Sequence, residues 1–479
     1  MQFPITIRIK IVTMTSSCRR IHRSSFRDPS GFLFVKNGML YRQVNNSYKS
    51  HYDCLINSGL YEELVDLKMM IPHEEVDIAF AISDSAYKIL HPQVVKFISY
   101  PYEWCFSELK HAAIALLDIQ KIAFKYGMCL KDASAYNMQF VDGQPMLIDT
   151  LSFEIYQEGS PWVAYRQFCQ HFLATLTLMC HVDIRLGQLL RVHMDGIPLD
   201  MASSLLPFRT YLQFGILSHI HLHARSQNLF SEKSISTANK TVSLVALQGI
   251  IDSLYIAVKR LKWRQGNTDW FDYYSGTKHN YSAEAASHKK TIVQQYIEKI
   301  SPGIVWDLGA NDGTYSRLAT SQGIPTIAFD SDPTAVEINY LDSVSKGDIN
   351  MIPLLLDLTN PSADIGWSNE ERLSLSRRSP ADLVMALALV HHLVISNNVP
   401  FVRLAEWFAV IAKSLIVEFV PKSDSQVARL LSYRKDIFDD YTRTAFERAF
   451  DKLFVIMKVS NINNSNRLLY LMQNRSDLK

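Results

Sequence analysis

Residues 303–315 decide the fold of the C-terminal half of the chain; they read GIVWDLGANDGTY. An apolar β run ends in Asp307, a turn of small residues extends from Gly309 to Gly313, and helical sequence follows. Glycines let a backbone approach a ligand closely, and a helix N-terminus offers free N–H groups. A carboxylate at the end of the strand can accept hydrogen bonds from an amine or a hydroxyl. The stretch therefore predicts a strand–turn–helix unit that binds a ligand.

Further β runs follow this stretch, and helical sequence separates them. Candidate ligand-binding residues stand directly after successive runs: Asp330, then Asp357 with Leu358, then His391 with His392. Asp330 follows Gly309 by 21 residues, close to the offset of about 20 at which an acid meets a ribose in dinucleotide-binding folds. The alternation predicts an α/β domain with a mostly parallel sheet and helices on both faces. The carboxyl ends of its strands are expected to form the ligand crevice.

Four segments resemble motifs I to IV of the class I S-adenosylmethionine-dependent methyltransferases: VWDLGANDGT, FDSDP, LLLDLTNPS and LVMALALVHHL. The resemblance implies a Rossmann-like C-terminal domain that binds S-adenosyl-L-methionine. It implies that Asp307 and Gly309 lie against the methionine part of this cofactor. It also implies that Asp330 bonds the ribose hydroxyls and that Asp357 with Leu358 borders the adenine.

The turn departs from the methyltransferase motif at Asn311, where that family often has glycine. Asparagine is one of the few other residues that tolerate left-handed φ, so the turn is expected to survive. Asn311 and Gly313 are therefore counted among the cofactor-binding residues. A nicotinamide-dinucleotide site is the alternative, but its G-x-G-x-x-G pattern is absent, since the chain reads GANDGT from Gly309.

The methyl acceptor does not follow from the sequence. No NPPY-type tetrapeptide follows the fourth β run, which argues against an amine-directed DNA methylase. No cysteine lies beyond Cys180, which excludes a covalent cysteine mechanism in this half. His391 or His392 is a candidate catalytic base that takes a proton from a hydroxyl. The simpler interpretation is that one caps a helix and the other packs in the core. Methyl transfer can also proceed by proximity and orientation alone.

Two other features of this half allow both a functional and a structural interpretation. An aromatic segment is expected either to cover the cofactor or to pack as an ordinary cap; it contains Trp270, Tyr273, Tyr274 and Tyr281. A basic run is expected to be a solvated loop; it contains Arg372, Arg377 and Arg378.

A long helix and a hairpin are predicted in the N-terminal half. Residues 107–126 carry apolar side chains at helical spacing, Ser107 can cap the helix, and Gly127 can end it. A hairpin is expected over residues 138–148, because the dipeptide Asp142-Gly143 is a turn signal between two apolar runs.

Three polar residues stand around this hairpin: Asp132, Asn137 and Asp149. In protein kinases an Asp orients the hydroxyl, and an Asn and a second Asp hold Mg²⁺ after a helix and a hairpin in this order. The stretch resembles the kinase-like phosphotransferases, including the aminoglycoside-type enzymes. The resemblance implies an α+β kinase-like domain with Asp132 as the base, Asn137 and Asp149 as metal ligands for Mg-ATP, and residues 100–104 as the hinge.

Several positions depart from the kinase pattern. The histidine of the kinase loop is replaced, since Leu130-Lys131 precedes Asp132, and Asp149 is followed by Thr-Leu and not Phe-Gly. The hairpin over residues 32–42 has a tight Asn-Gly turn and no glycine-rich loop, so Arg42 or Lys88 would have to replace the usual lysine. Phosphotransfer, binding or regulation, and plain bracing of turns therefore stay open for this loop.

Composition narrows the class of protein. The 479 residues are 48% apolar, which is typical of a globular chain. The chain has 49 Lys and Arg against 47 Asp and Glu, and the resulting net charge of +2 gives no strong nucleic-acid signal. Six scattered cysteines without a CxxC pair indicate reduced thiols and a cytoplasmic location. No run reaches the about 20 apolar residues that span a bilayer.

We expect four segments along the chain. Residues 1–25 form a basic, poorly ordered tail, 26–225 a kinase-like α+β domain, 226–265 a linker and helix, and 266–479 the methyltransferase domain.

Four blocks between residues 100 and 207 resemble the NoeA family of rhizobial host-specific nodulation proteins and its bacterial relatives: YPYEWCFSELKHAAIALLDIQ, LKDASAYNMQF, IDTLSFEIYQEGSPWVAYRQFCQHFLA and DGIPLDMASSLLP. Those proteins join the same N-terminal region to a methyltransferase domain. The resemblance implies a bacterial cytoplasmic protein that tailors a secreted signal or a surface saccharide.

The leading hypothesis is an S-adenosylmethionine-dependent methyltransferase that O-methylates a small polar or saccharide-type metabolite, related to a nodulation signal. The alternative is a phosphotransferase, or a bifunctional kinase-like methyltransferase, that uses Asp132, Asn137 and Asp149 with Mg-ATP. A non-catalytic adaptor is a third class. The acceptor atom and the oligomeric state do not follow from the sequence.

Overall fold

The computed structural model describes residues 20–226, 241–263, 282–432 and 435–478. The described residues divide into two compact units, one within Met1–Asp53 and Pro72–Val94 and the other within Cys54–Ile71 and Val95–Lys479. Helix α1 (Lys49–Asn57) includes the boundary between them. The four segments expected from the sequence stay a prediction.

The first unit contains an antiparallel sheet with the strand order β1-β2-β3-β5-β4. Its strands are β1 (Arg20–Ile21), β2 (Gly31–Lys36), β3 (Met39–Asn45), β4 (His73–Val76) and β5 (Ala86–Pro92). Asn37 and Gly38 connect β2 to β3 with φ values of 55° and 79°. Positive φ at both central residues suits a tight hairpin, so the predicted Asn-Gly turn is confirmed.

Helix α3 (Phe106–Lys125) is the centre of the N-terminal part of the second unit. It begins one residue earlier than predicted, and Ser107 is not its cap: the cap is Cys105, whose N–H donates to the Glu108 carboxylate at 2.8 Å. Ser107 instead donates its hydroxyl to Glu337 at 2.5 Å. The prediction was wrong because a partner 230 residues away claims this side chain.

Two short β pairs follow α3. Their strands are β6 (Met128–Leu130), β7 (Met138–Val141), β8 (Gln144–Leu147) and β9 (Phe153–Ile155), with β6 paired to β9 and β7 to β8. Asp142 and Gly143 turn the β7–β8 hairpin with φ values of 48° and 74°, which confirms the predicted Asp-Gly turn. The helices of this part are α2 (Leu60–Asp66), α4 (Tyr165–Phe168), α5 (Ala174–His181), α6 (Leu189–Val192), α7 (Leu199–Leu205), α8 (Phe214–Ile216) and α9 (Leu244–Arg260).

The described residues from 282 onward form a seven-stranded sheet with the order β12-β11-β10-β13-β14-β16-β15. Its strands are β10 (Val305–Leu308), β11 (Thr326–Asp330), β12 (Met351–Leu355), β13 (Ala381–Ala386), β14 (Ala412–Phe419), β15 (Phe454–Asn461) and β16 (Leu468–Asn474). The first five strands in this order are parallel to one another, and β16 and β15 add an antiparallel edge.

Helices cover both faces of this sheet. They are α10 (Ala283–Ile300), α11 (Arg317–Thr320), α12 (Pro333–Lys346), α13 (Phe401–Ile411), α14 (Ser425–Ser432) and α15 (Arg443–Asp451). Side chains alternate across a strand, so Val305 faces the cluster that holds α10, whereas Trp306 faces the opposite, larger cluster. The predicted α/β fold, a Rossmann-like methyltransferase-type sheet joined to an α+β kinase-like part, is confirmed.

One hydrophobic core runs through the second unit. Phe97 packs edge-on against Trp306, with ring centroids 5.5 Å apart, and against Phe329 at 6.0 Å. Phe140, from the β7–β8 hairpin, packs edge-on against Tyr340 of α12 at 5.9 Å. Residues that precede the sheet in sequence therefore bury one of its faces and are stabilised by the same apolar burial.

Two further facts concern the described residues alone. None of their helices is long and apolar enough to cross a membrane. Their five cysteines are free thiols: Cys54, Cys105, Cys129, Cys169 and Cys180.

Candidate active site

The turn after β10 has the left-handed backbone that its sequence predicted. The φ values are 74° at Gly309, 52° at Asn311 and 79° at Gly313. The N–H groups of Gly309 and Ala310 both donate to the Phe329 carbonyl at 2.9 Å, which fixes the turn to β11. A side chain at Gly313 would collide with Asn339, so glycine is required there for space as well as for backbone conformation.

The carboxyl ends of β10, β11 and β12 bring three of the predicted residues to one edge of the sheet. Asp307 is in register with Ala328 of β11, and Asp330 ends that strand; Asp357 lies two residues beyond the end of β12. The chain passes from β10 to β11 on one side and returns to β13 on the other, so the strand order reverses at β10. In open α/β sheets ligands bind at such a reversal.

Asp330 holds the turn and keeps acceptor capacity for a ligand. Its carboxylate accepts the N–H of Asn311 at 2.8 Å and that of Asp332 at 2.9 Å, one on each oxygen. Burial raises the pKa of Asp330 to about 6, and the hydrogen bonds from these N–H groups oppose that rise. Each carboxylate oxygen offers about two acceptor positions, so Asp330 can also accept hydrogen bonds from ribose hydroxyls.

Asp307 is almost fully buried, with 2% of its surface exposed. Its carboxylate accepts the Ser316 hydroxyl at 2.6 Å. Burial raises its pKa to about 7, and the bond from Ser316 and the nearby Lys289 ammonium oppose that rise. A buried carboxylate of this kind suits a cationic amine, because the amine's charge would favour ionisation.

Asp357 is exposed and forms a local turn. Its Oδ1 accepts the N–H of Thr359 at 2.8 Å and the Thr359 hydroxyl at 2.6 Å. Leu358 is partly buried and packs against the main core. The structure thus places both residues beyond β12, at the same edge as Asp330.

His391 and His392 follow β13, and their rings lie 4.1 Å apart. His391 is 1% exposed, and its Nδ1 has no hydrogen-bond partner among the described residues. Burial lowers the pKa of His391 well below its usual value and that of His392 to about 4, so both rings are neutral at pH 7. The short π-helical segment His392–Ser396 has no side-chain cap from His391. A catalytic role for either histidine stays a prediction.

A buried ionic cluster lies close to these histidines, and the sequence did not single it out. Glu418 of β14 is paired with Lys289 at 2.6 Å and with Arg467 at 3.4 Å, and Arg467 is paired with Asp424 at 2.7 Å. Glu418 also accepts the N–H of Ala388 at 2.9 Å. A charged residue inside the apolar run SLIVEF was the only available signal.

The hydrogen bond from the Ala388 N–H to Glu418 stabilises the loop after β13. Ala388 has a φ of 50°, a backbone conformation that residues with a side chain rarely adopt. Such strain persists only where the surroundings impose it. The Glu418 carboxylate therefore helps to hold the β13 loop, and with it the position of His391, in one conformation.

The kinase-like loop gathers its three predicted residues through hydrogen bonds. Asp132 accepts the Gln167 amide at 2.8 Å. Asp149 accepts the Ser152 hydroxyl at 2.6 Å, and the Asn137 amide donates to the same Ser152 oxygen at 3.4 Å. Burial, followed by the neighbouring Asp149 charge, raises the pKa of Asp132. The loop is therefore ordered around two carboxylates and one amide.

The two candidates for the kinase lysine lie in the first unit. Lys88 of β5 is paired across the sheet with Glu75 of β4 at 2.5 Å, and both side chains are partly exposed. Arg42 lies on β3, beside β5. These contacts do not indicate a phosphate-binding role for either residue.

The basic run after β12 is not the solvated loop that the sequence predicted. Arg378 forms a bidentate ion pair with Glu103 at 2.5 and 2.9 Å, and both side chains are at most 4% exposed. Arg372 lies over the Tyr136 ring at 4.6 Å, whereas Arg377 stays 41% exposed beside Asp364. The expectation was wrong for Arg378 because its partner comes from a distant part of the chain.

Further bonds join residues 95–226 to the sheet part of the second unit. His111 of α3 bonds the Tyr340 hydroxyl of α12 at 2.8 Å. The Tyr100 hydroxyl accepts the N–H of Leu373 at 2.7 Å, and Arg191 donates to the Pro361 carbonyl at 3.1 Å. The aromatic segment Trp270, Tyr273, Tyr274 and Tyr281 lies outside the described residues.

Comparison with known proteins shows the family to which the chain belongs. No family model matches the chain. The nodulation protein NoeA of Rhizobium meliloti strain 1021 is 32% identical over 456 residues, which cover 94% of this chain and 95% of that protein. The fold described above is a Rossmann-like α/β sheet joined to a kinase-like part. The chain belongs to the NoeA family of nodulation proteins.

Solved structures resemble the chain only in part. The bifunctional kinase-methyltransferase WbdD has 16% identity over 40% of this chain and 39% of its own, with a TM-score of 0.27. The magnesium protoporphyrin IX methyltransferase ChlM of Synechocystis PCC 6803, solved with bound SAH, has 16% identity over 42% of this chain and 90% of its own, with a TM-score of 0.29. At such scores neither likeness carries an argument about activity.

Proposed function

We propose that the protein is an S-adenosylmethionine-dependent methyltransferase whose cofactor binds at the carboxyl edge of β10, β11 and β12. The observation that carries the proposal is the left-handed turn at 309–313 beside the carboxylates of Asp307, Asp330 and Asp357. The cofactor supplies the electrophilic methyl group when it is bound.

The residues at this edge match the parts of the cofactor. The buried Asp307 carboxylate suits the amino group, and Asp330 suits the ribose hydroxyls. The glycine-rich turn lets the backbone approach the ligand between them. His391 or His392 is a neutral base for an acceptor hydroxyl.

An oxygen of a small polar or saccharide-type metabolite is the proposed acceptor, with a role in a nodulation signal. Membership of the NoeA family and the neutral imidazoles support this choice. A cytoplasmic location is proposed with it, from the scattered free thiols.

Titration calorimetry with S-adenosylhomocysteine tests the site. Asp330→Ala is expected to weaken binding at least tenfold, because it removes the ribose acceptor and the bond that holds the Asn311 turn. Asp382→Ala is the matched control: this aspartate lies at the opposite end of β13 in a partly exposed pair with Lys413. If Asp330→Ala and the wild type bound S-adenosylhomocysteine with equal affinity, Asp330 could not be the ribose-binding residue.

A second candidate function is phosphotransfer at the kinase-like loop. The observation that favours it is the ordered loop with Asp132, Asn137 and Asp149, in which Ser152 bonds both Asn137 and Asp149 and Gln167 donates to Asp132. A Mg²⁺·ATP titration of the whole chain tests it. Asp149→Asn is expected to abolish binding, while Asp142→Asn in the adjacent hairpin turn should not, since asparagine also adopts its positive φ. No binding by the wild type at millimolar nucleotide would exclude this function.

A further inference from the structure

Lys289 stands on the apolar face of helix α10, where the helical pattern favours a hydrophobic residue. Buried residues share this face at helical spacing: Ala285, Ile292, Val293 and Tyr296. Lys289 is itself only 1% exposed. Taking an ammonium group out of water is unfavourable, and an apolar residue of similar volume is often at least as stable in such a place. Stability alone therefore gives no reason for a lysine here.

Lys289 is held by a partner on the sheet. Its Nζ lies 2.6 Å from Oε2 of Glu418 on β14, and both side chains are at most 2% exposed. Glu418 has a second cation, Arg467, at 3.4 Å, and Arg467 is paired with Asp424. Burial lowers the pKa of Lys289, and the Glu418 charge opposes that change. The two cations and the two carboxylates balance, so the cluster adds no net charge that would repel a cationic ligand.

Lys289 also contacts the segment that holds Asp307. Its Nζ lies 4.5 Å from the centre of the Tyr315 ring. The next residue, Ser316, donates its hydroxyl to Asp307 Oδ2 at 2.6 Å. The Lys289 charge lowers the pKa of Asp307, against the effect of burial. Lys289 therefore connects the Glu418 pair to the carboxylate that suits the amine of a ligand.

The other neighbours of Asp307 do not provide this effect. Asp330, at the end of β11, is a second carboxylate and raises the pKa of Asp307. The residues in register with Asp307 on β11 and β13 are Ala328 and Met385, which carry no charge. Within the described ranges, Lys289 is thus the cation that favours the ionised form of Asp307.

We propose that Lys289 is a positioning residue of the cofactor site: Glu418 holds its ammonium group where it keeps Asp307 ionised, and the ionised Asp307 binds the ammonium group of the cofactor. The inference rests on the proposed function and deepens it, because it assigns the buried ionic cluster to the amine end of the ligand. Lys289 acts through Asp307 and not by contact with the ligand.

The pH dependence of S-adenosylhomocysteine binding by the whole chain tests the inference, measured by calorimetric titration from about pH 5 to about pH 9. Lys289→Gln removes the charge and keeps an N–H donor for Glu418. Its affinity is expected to be about three- to tenfold lower than that of the wild type at pH 7 and to level off about one pH unit higher, because the pKa of Asp307 rises without the neighbouring cation. Lys289→Arg keeps the charge and should restore the wild-type profile. Lys290→Gln is the matched control, since this neighbour on α10 is exposed, and it should bind like the wild type at every pH.

The outcomes separate the two proposals. If Lys289→Gln shows the wild-type affinity and pH profile while Asp330→Ala binds weakly, this inference is overturned and the methyltransferase proposal stands. A loss of affinity that is equal at every pH also overturns the inference, because it indicates a structural role only. Wild type that does not bind S-adenosylhomocysteine would overturn both proposals.

A second neutral variant controls for a folding defect. Lys289→Met suits the apolar face of α10, and Glu418 keeps Arg467 as a partner in both neutral variants. Thermal unfolding shows whether each variant is folded. A shifted pH profile in either folded variant supports the inference. If neither variant folds, Lys289 serves the core and not the ligand, and the inference is wrong.

Discussion

Single residues at the proposed cofactor site each combine a structural hydrogen bond with a chemical property. Asp330 accepts one N–H on each carboxylate oxygen, so it shapes the turn and presents acceptors to a ligand. Asp307 is buried deeply enough for its pKa to rise to about 7. These properties come from burial and from the turn itself, and they make the affinity for a cationic ligand sensitive to pH.

We predict that affinity for S-adenosylhomocysteine rises with pH up to about 7 and then levels off. The folded-state pKa of Asp307 is raised, so below about 7 the carboxyl is protonated and cannot hold the ligand's ammonium group. The affinity should change by up to about tenfold per pH unit in that range. Asp307→Asn should bind weakly at all pH values. A wild-type affinity that is constant between pH 5 and 8 would contradict the prediction.

At the scale of elements, the loop between β12 and β13 connects the carboxyl edge of the sheet to the kinase-like region. It carries Arg378, whose guanidinium lies over the Phe97 ring at 4.9 Å and the Tyr100 ring at 4.7 Å while it pairs with Glu103. The pair is costly to break, because a lone buried charge has no compensating partner.

We predict that Arg378→Met lowers the free energy of unfolding by about 3–5 kcal/mol, since it leaves the buried Glu103 carboxylate without its cationic partner. Arg377→Met, one position earlier and partly exposed, should cost less than about 1 kcal/mol. Urea unfolding measures both.

A double variant provides the internal control for this prediction. Glu103→Gln combined with Arg378→Met should be less destabilising than the sum of the single changes, because no unpaired charge remains. Equal effects of Arg378→Met and Arg377→Met would show that the ion pair contributes nothing.

At the scale of the whole molecule, the second unit joins two patterns that the sequence showed separately. Phe97 and Phe140 enter the same core as Trp306 and Tyr340, and Ser107 and His111 of α3 bond α12. Similarity to NoeA likewise extends over 94% of the chain and not over one half. The kinase-like residues from 95 onward and the sheet therefore form one packing unit.

Features that depend on neighbours along the chain could be predicted from the residues alone. The Asn37-Gly38 and Asp142-Gly143 turns, the left-handed Asn311 and the acids after successive strands all followed from local conformational preference and strand periodicity. The burial of Arg378 and Glu418 and the true partner of Ser107 became apparent only from the three-dimensional fold. The reason is physical: a polar side chain is buried or exposed according to the partner it meets, and these partners stand up to 275 residues away.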